Sequence, residues 1–408
     1  MTALWWRRPA PLALAVALAA GAALLLVPER SDRPAPAGVA SLASAWPQAR
    51  RADVPGNVPD GPVFQPGLFL DAATAIGTAP SPDALSLRLL LRRADGSLDE
   101  LRRLPLDDAP AFDSFAASGN DVVWAESFGS GGVQVWAARV DTGTARRLTA
   151  DTGDPVFYGS QHDLVIADGR VHWAAAPAAR PAASTKAGSP ARPSSSAEPS
   201  SSAGAGPSAG AGPSAGAGPG GGTGPGGGTA TEIRSVSLAG GPVTARTEPG
   251  TWAQTAWPWL VEGGADGTGT TRLRDPSTVR DVEVDTTGAE LAACSPAWCR
   301  VVVMSGDGPA RIDLMRPDGT ERRRIAGGAA VAAVTDVALL DRFEVLAEPL
   351  PGSDLTGEQR LLVYDAATGR TVEVAATVSG AFARGGVLWW STGDQDSLAW
   401  HTLDLRTV

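Results

Sequence analysis

A seven-bladed β-propeller of four-stranded antiparallel blades, preceded by one apolar transmembrane helix, is the fold this sequence predicts. Three observations carry it. The chain of 408 residues holds 49 Gly and 33 Pro, too many turn-formers for a helical protein, alongside 43% hydrophobic residues, enough for a large core. An internal repeat recurs: Phe115–Ala125, Val165–Ala174 and Phe382–Trp390 each read as a strand, a Gly turn and a second strand that reaches Trp124, Trp173 or Trp389-Trp390. Alternating apolar strands are then joined by short Gly-containing hairpins, at Asp141-Thr-Gly143, Asp365-Ala-Ala-Thr-Gly369, Asp95-Gly96 and Pro317-Asp318-Gly319.

The repeat divides the chain into units 63–111, 112–153, 154–250, 251–288, 289–328, 329–377 and 378–408, with a degenerate copy at Val337–Leu346. Apart from one insertion, the units average about 42 residues, the length of a propeller blade. The insertion, residues 178–230, contains 46 Gly, Ala, Pro or Ser in 53 positions and no Val, Leu, Ile or aromatic residue, so a disordered loop inside the third blade is expected. The last unit supplies only three strands. An open ring would leave unpaired edges, which predicts that residues 46–62 return to pair outside the final strand, Ser397–Leu405.

Upstream, residues 10–27 form an uncharged apolar run behind Arg7 and Arg8, which predicts a signal-anchor helix with residues 1–9 in the cytoplasm. Residues 28–45 read as a Pro/Ala-rich spacer and 46–408 as the propeller, extracytoplasmic on a single-pass cell-membrane protein. Secretion after signal cleavage stays open, since small-residue sites follow at Ala35-Pro36-Ala37 and Ala43-Ser44-Ala45. In an oxidising compartment the chain's two cysteines, Cys294 and Cys299, predict a disulfide. A formal charge of −10 argues against nucleic acid as a partner.

On the repeat rhythm, the Asp-x-x-Thr-Gly and Asp-Gly hairpins and the Trp-ending strands, residues 46–408 resemble the extracytoplasmic TolB-type β-propellers of bacteria. That resemblance implies a ring of blades that binds partners, and implies no reaction.

Chemistry-bearing motifs are few. Gly206-Pro-Ser208-Ala-Gly210 and Gly212-Pro-Ser214-Ala-Gly216 match a nucleophile elbow but sit in the insertion, without the strand and helix that hold such a turn. Ser160-Gln161-His162-Asp163 has triad residue types as neighbours along one loop, an order in which they seldom converge, so it reads as a polar loop that can line a binding surface. Asp394, Asp396 and Asp113 lack full calcium-loop spacing. The Asp-x-x-Thr-Gly turns also occur in quinone-dependent dehydrogenase propellers, but Arg146-Arg147-Leu148 and Val372-Glu373-Val374 stand where those enzymes place a Trp.

Trp124, Trp136, Trp173, Trp389, Trp390 and Trp400 read as packing between blades, whereas Trp252, Trp257 and Trp259 are less regular and, with His162, form the candidate ligand surface. The function expected from sequence is therefore a non-catalytic binding or scaffolding module for a protein or cell-envelope component, without catalytic residues, cofactor or metal. The alternative is a propeller enzyme, hydrolase or oxidoreductase, with site residues gathered from several blades.

Overall fold

The described residues between 41 and 408 fold as seven antiparallel sheets arranged as a propeller. The computed structural model describes residues 39–177, 230–263, 269–306, 308–353, 357–393 and 397–408. Blade 1 comprises Gln65–Phe69, Ala75–Pro80, Ser86–Arg92 and Leu98–Pro105. Blades 2 to 6 follow within 111–149, 154–249, 252–283, 290–327 and 331–378, against the expected boundaries to within a few residues.

Blade 7 is completed from both chain ends. Ala381–Arg384, Val387–Thr392 and Ala399–Asp404 form three strands, and Arg50–Pro55 pairs antiparallel on the outside of the last, from Arg50 opposite Asp404 to Pro55 opposite Ala399. The expected clasp is present. Its rim adds a bond between His401 Nδ1 and Asp53 Oδ1 of 2.7 Å, while Thr402 Oγ1 donates to Ala72 O at 2.6 Å and so ties the seam to blade 1.

Blades stacked face to face bury their middle strands on both sides, so those strands read as apolar runs rather than alternating ones. Leu89, Leu90 and Leu91 are all buried, as are Val122 to Ala125. The core is divided between blades. Leu89 and Leu101 of blade 1 meet Phe112 and Trp124 of blade 2, and Trp389 and Trp400 of blade 7 meet Phe64 and Phe69. Phe343 and Val363 of blade 6 meet Trp390 and Leu403 of blade 7, with Trp46 packed edge-on to Phe343 at 5.6 Å. Trp124, Trp173 and Trp400 are buried, and each indole N–H donates to an oxygen, Glu126 Oε1, Thr152 O or Phe64 O, so their burial leaves no orphan donor.

The Asp-x-x-Thr-Gly hairpin has a visible cause at 365–369. Asp365 accepts from Ala367 N and Thr368 Oγ1, and Gly369 takes the positive φ of 68° that closes the turn. Cys294 and Cys299 are joined, facing each other across the first hairpin of blade 5 with Cα atoms 4.1 Å apart.

The expected transmembrane helix over 10–27 lies outside the described residues, and among the described residues no helix is long and apolar enough to cross a membrane. The sheets support the propeller and not that helix. The insertion's residues 178–229 also lie outside; its flanking strands, Arg170–Ala176 and Ala230–Ser237, pair directly as neighbours in blade 3.

Candidate functional site

The first strand of each blade faces the propeller axis, and in two blades that strand is interrupted. In blade 3, Asp154–Pro155 and Val165–Ala167 both pair with the strand 170–176, Val156 N still donates to Ala174 O, and residues 157–164 leave the ladder between them. In blade 6 the inner strand is only Val331–Ala332, Ala333 N still donates to Val345 O, and residues 334–342 depart before the next strand, Phe343–Pro349, begins. The degenerate copy expected as a strand from Val337 is thus largely loop, with Ala338, Leu340 and Asp341 at φ of 46°, 56° and 55°.

Backbone groups freed from a ladder need other partners. Side-chain charges supply them. Asp163 accepts from Tyr158 N at 3.0 Å and Gly159 N at 2.8 Å, which folds the blade 3 excursion around its carboxylate. For the blade 6 excursion, Arg300 of blade 5 donates to Val334 O, Thr335 O and Asp336 O, and to Glu344 Oε1 at 2.7 Å. Glu344, fully buried, accepts from Ala338 N through its other oxygen at 2.7 Å.

The two excursions meet. Ser160 Oγ donates to Asp336 Oδ1 at 2.5 Å and Gln161 N to Asp336 Oδ2 at 3.0 Å. In a ring of seven, blades 3 and 6 are not neighbours, so these bonds span the axis. Gly385 N of blade 7 donates to Gln161 Oε1 at 3.0 Å, and Arg384 Nη1 to Phe115 O of blade 2 at 2.6 Å. Residues from blades 2, 3, 6 and 7 are thereby gathered around His162, whose own N–H donates to Ser160 Oγ.

His162, Asp336 and Arg384 are half-buried, and Asp163 is buried. Desolvation governs their charges. Burial holds the His162 imidazole below its ordinary pKa, with Arg384 pushing the same way and Asp336 and Asp341 opposing. Burial raises the Asp163 carboxyl to about 6, outweighing the two N–H donors and Arg384. It lowers the Arg384 guanidinium, against the pull of Asp163 and Asp336, and raises the Tyr158 phenol, with the charge of Asp163 adding. At neutral pH the site therefore offers a neutral imidazole, a carboxyl that titrates close to the working range and a guanidinium. Such a set can accept a proton, return one and hold a charge.

The aromatic candidates do not join it. Trp252 is 2% exposed, its indole N–H donating to Pro249 O at 2.7 Å. Trp259 is half-buried with Arg280 over its ring at 5.7 Å. Trp257 stacks on His172 with ring centroids 3.9 Å apart, in a groove of about 220 Å³ between blades 3 and 4 that is also lined by Ile233, Leu260 and Pro276. Burial lowers the His172 pKa, and its Nε2 has no hydrogen-bond partner among the described residues. Asp113 accepts from Ser127 Oγ at 2.6 Å, while Asp394, Asp396, Ser208 and Ser214 lie outside the described residues. Among the described residues no group of three His, Cys, Asp or Glu side chains is placed to hold a metal ion.

Sequence reasoning singled out the 160–163 loop and missed Asp336 and Arg384. The one available signal was at Arg384, a cation on an inner strand at the repeat position held elsewhere by Ala117 and Ala167.

No protein-family model matches the chain, and no curated protein is significantly similar to it. Solved structures are similar at the level of the propeller. The oligogalacturonate lyase of Vibrio parahaemolyticus is 7% identical with a TM-score of 0.48, covering 88% of this chain and 97% of that one. A prolyl endopeptidase is 13% identical with a TM-score of 0.45, covering 94% of this chain and 52% of its own length. The β-propeller domain of the Trilobed protease from Pyrococcus furiosus is 11% identical with a TM-score of 0.42, covering 72% and 83%. These likenesses concern the fold, and none identifies a TolB-type protein. The propellers found are those of peptidases and a lyase, which stands against the expected non-catalytic scaffold; at these identities and TM-scores the likeness shows the fold alone.

Proposed function

We propose that this chain is an acid–base enzyme, of the kind that catalyses hydrolysis or elimination, with its site on the propeller axis. The observation that carries this reading is the convergence of His162, Asp163, Asp336 and Arg384 from three blades through the cross-axis bonds of Ser160 and Gln161 to Asp336. His162 is the general base. Its depressed pKa keeps the imidazole unprotonated at neutral pH, and among the described residues no hydrogen bond occupies its ring. It takes a proton from water or from substrate and returns it to the leaving group, so the imidazole is regenerated. Asp336 is a positioning residue, holding the loop through Ser160 and Gln161 while both its oxygens are engaged.

The test is turnover of the full-length protein on a panel of esters, peptides and glycosides, with the pH profile of kcat/KM. His162→Gln should lower kcat by a hundredfold or more, in the range of general acid–base catalysis, at unchanged melting temperature. Activity equal to wild type in that variant would refute the assignment.

We also place the propeller on the extracytoplasmic side of a membrane, in keeping with the TolB-type resemblance. Arg7-Arg8 ahead of the apolar run 10–27 and the Cys294–Cys299 disulfide support this. A reporter active only outside the cytoplasm, fused after Val408, should give signal; a silent fusion would count against it.

A further inference from the structure

We propose that Arg384 is the substrate-binding cation of the axial site and that the substrate carries a carboxylate there. The proposal deepens the enzyme reading above and rests on it for the word substrate. Buried and half-buried arginines of this protein commonly end on a carboxylate, Arg88 on Asp60, Arg102 on Glu126, Arg234 on Asp151 and Glu232, Arg300 on Glu344 and Arg342 on Asp365, though buried Arg92 has no ion pair among the described residues. Arg384 does not end on one. Among the described residues its hydrogen bond goes to a neutral carbonyl, Phe115 O, and no carboxylate lies within ion-pair distance.

The nearby acids are already engaged. Asp163 receives Tyr158 N and Gly159 N, and Asp336 receives Ser160 Oγ and Gln161 N. Both attract Arg384 through space without binding its fork. The half-buried guanidinium keeps N–H groups open beside its carbonyl partner, and a planar two-oxygen anion is the partner its geometry fits. The same acids select among anions. Asp163 and Asp336 repel a doubly charged phosphate more than a singly charged carboxylate, which favours the carboxylate.

The pH dependence has a definite sign. Asp163 and Asp336 face Arg384, Asp336 and Asp341 face His162, and Tyr158 lies beside Asp163. Falling pH protonates Asp163 near 6 and His162 below its ordinary 6.5, so negative charge is lost and positive charge gained around the guanidinium. Carboxylate affinity should therefore rise from pH 8 to pH 5.

Calorimetric titration of the full-length protein with benzoate, with benzamide as the neutral isostere and with inorganic phosphate, tests the proposal. Benzoate should bind wild type about tenfold or more tightly than Arg384→Gln, the loss equivalent to one charged contact. It should bind more tightly at pH 5.5 than at pH 8, and Arg384→Lys, which keeps the charge, should recover part of the affinity. Equal benzoate binding by wild type and Arg384→Gln would overturn the proposal, as would equal binding of benzamide, stronger binding of phosphate, or no binding of benzoate to wild type. His162→Gln separates the two readings. It should lower kcat a hundredfold or more yet still bind benzoate; turnover equal to wild type would sink the base, and benzoate binding insensitive to Arg384 would sink the anion site.

Discussion

Blades 3 and 5 use the strand that faces the axis in opposite ways. In blade 5, Glu290–Cys294 pairs residue for residue with Cys299–Val303, and the ladder ends at a covalent bond between Cys294 and Cys299. In blade 3 the equivalent strand survives only as Asp154–Pro155 and Val165–Ala167, and the residues between them carry His162 to the axis. An unbroken strand commits every backbone N–H and C=O to its neighbour and leaves only alternate side chains for the channel. A broken one frees a whole loop to reach across the ring, on condition that buried charges replace the lost ladder. Blade 6 repeats the lesson, with Arg300 and Glu344 in the place of strand partners.

The largest expected effect comes from removing such a replacement. Glu344→Leu strands the buried Arg300 and the Ala338 N–H, and should cost about 3–5 kcal/mol in urea unfolding, as for breaking a buried ion pair from one side. The double variant Arg300→Met, Glu344→Leu should recover part of that loss. A cost under about 1 kcal/mol for Glu344→Leu would mean that the excursion is not held by the pair.

Next in size is a pH effect on the blade 3 loop. The folded-state pKa of Asp163, about 6, lies above its ordinary 3.8, so below pH 3.8 the carboxyl is neutral in folded and unfolded chains alike. As pH rises through 6 the folded protein must ionise a buried group, and wild type should lose on the order of 2–3 kcal/mol relative to Asp163→Asn. His162 acts in the opposite sense, its depressed pKa making stability fall as pH drops below 6.5, but it is present in both proteins. Parallel stability–pH curves for the two would remove the case for a buried, shifted carboxyl. Smallest is the regular blade: Cys294→Ser with Cys299→Ser should cost about 2 kcal/mol, the chain-entropy value for so short a loop. The axial bonds of blade 3 should be untouched by it, which titration of His162 in both proteins would check.

What was legible in the sequence is what repeats locally. A strand, a Gly turn and a Trp recur within about ten residues, so unit boundaries, the interblade packing of Trp124, Trp173 and Trp389, and the missing outer strand of blade 7 could all be read. The short spacing of Cys294 and Cys299 was enough to expect their bond. The site was not legible in the same way. Ser160 and Asp336 are 176 positions apart, and Arg384 and Phe115 are 269 apart, so no local pattern links them. Nor did glycines mark the second excursion, because its left-handed backbone falls on Ala338, Leu340 and Asp341. Trp252 was read as irregular because it does not fall at a repeat-equivalent position, yet it is buried in the three-residue strand Trp252–Gln254.

The outer strand of blade 7 also has a consequence in time. Arg50–Pro55 emerges early in synthesis, but its partner is Ala399–Asp404, so every residue from Gly56 to Leu398 must be made before the two can pair. Until then an open sheet edge waits without its match, while the blades between fold on local contacts and the ring stays incomplete. The closing of the ring is thus the step most dependent on distant sequence, and a chain halted near its end keeps an early strand available to any other edge it meets.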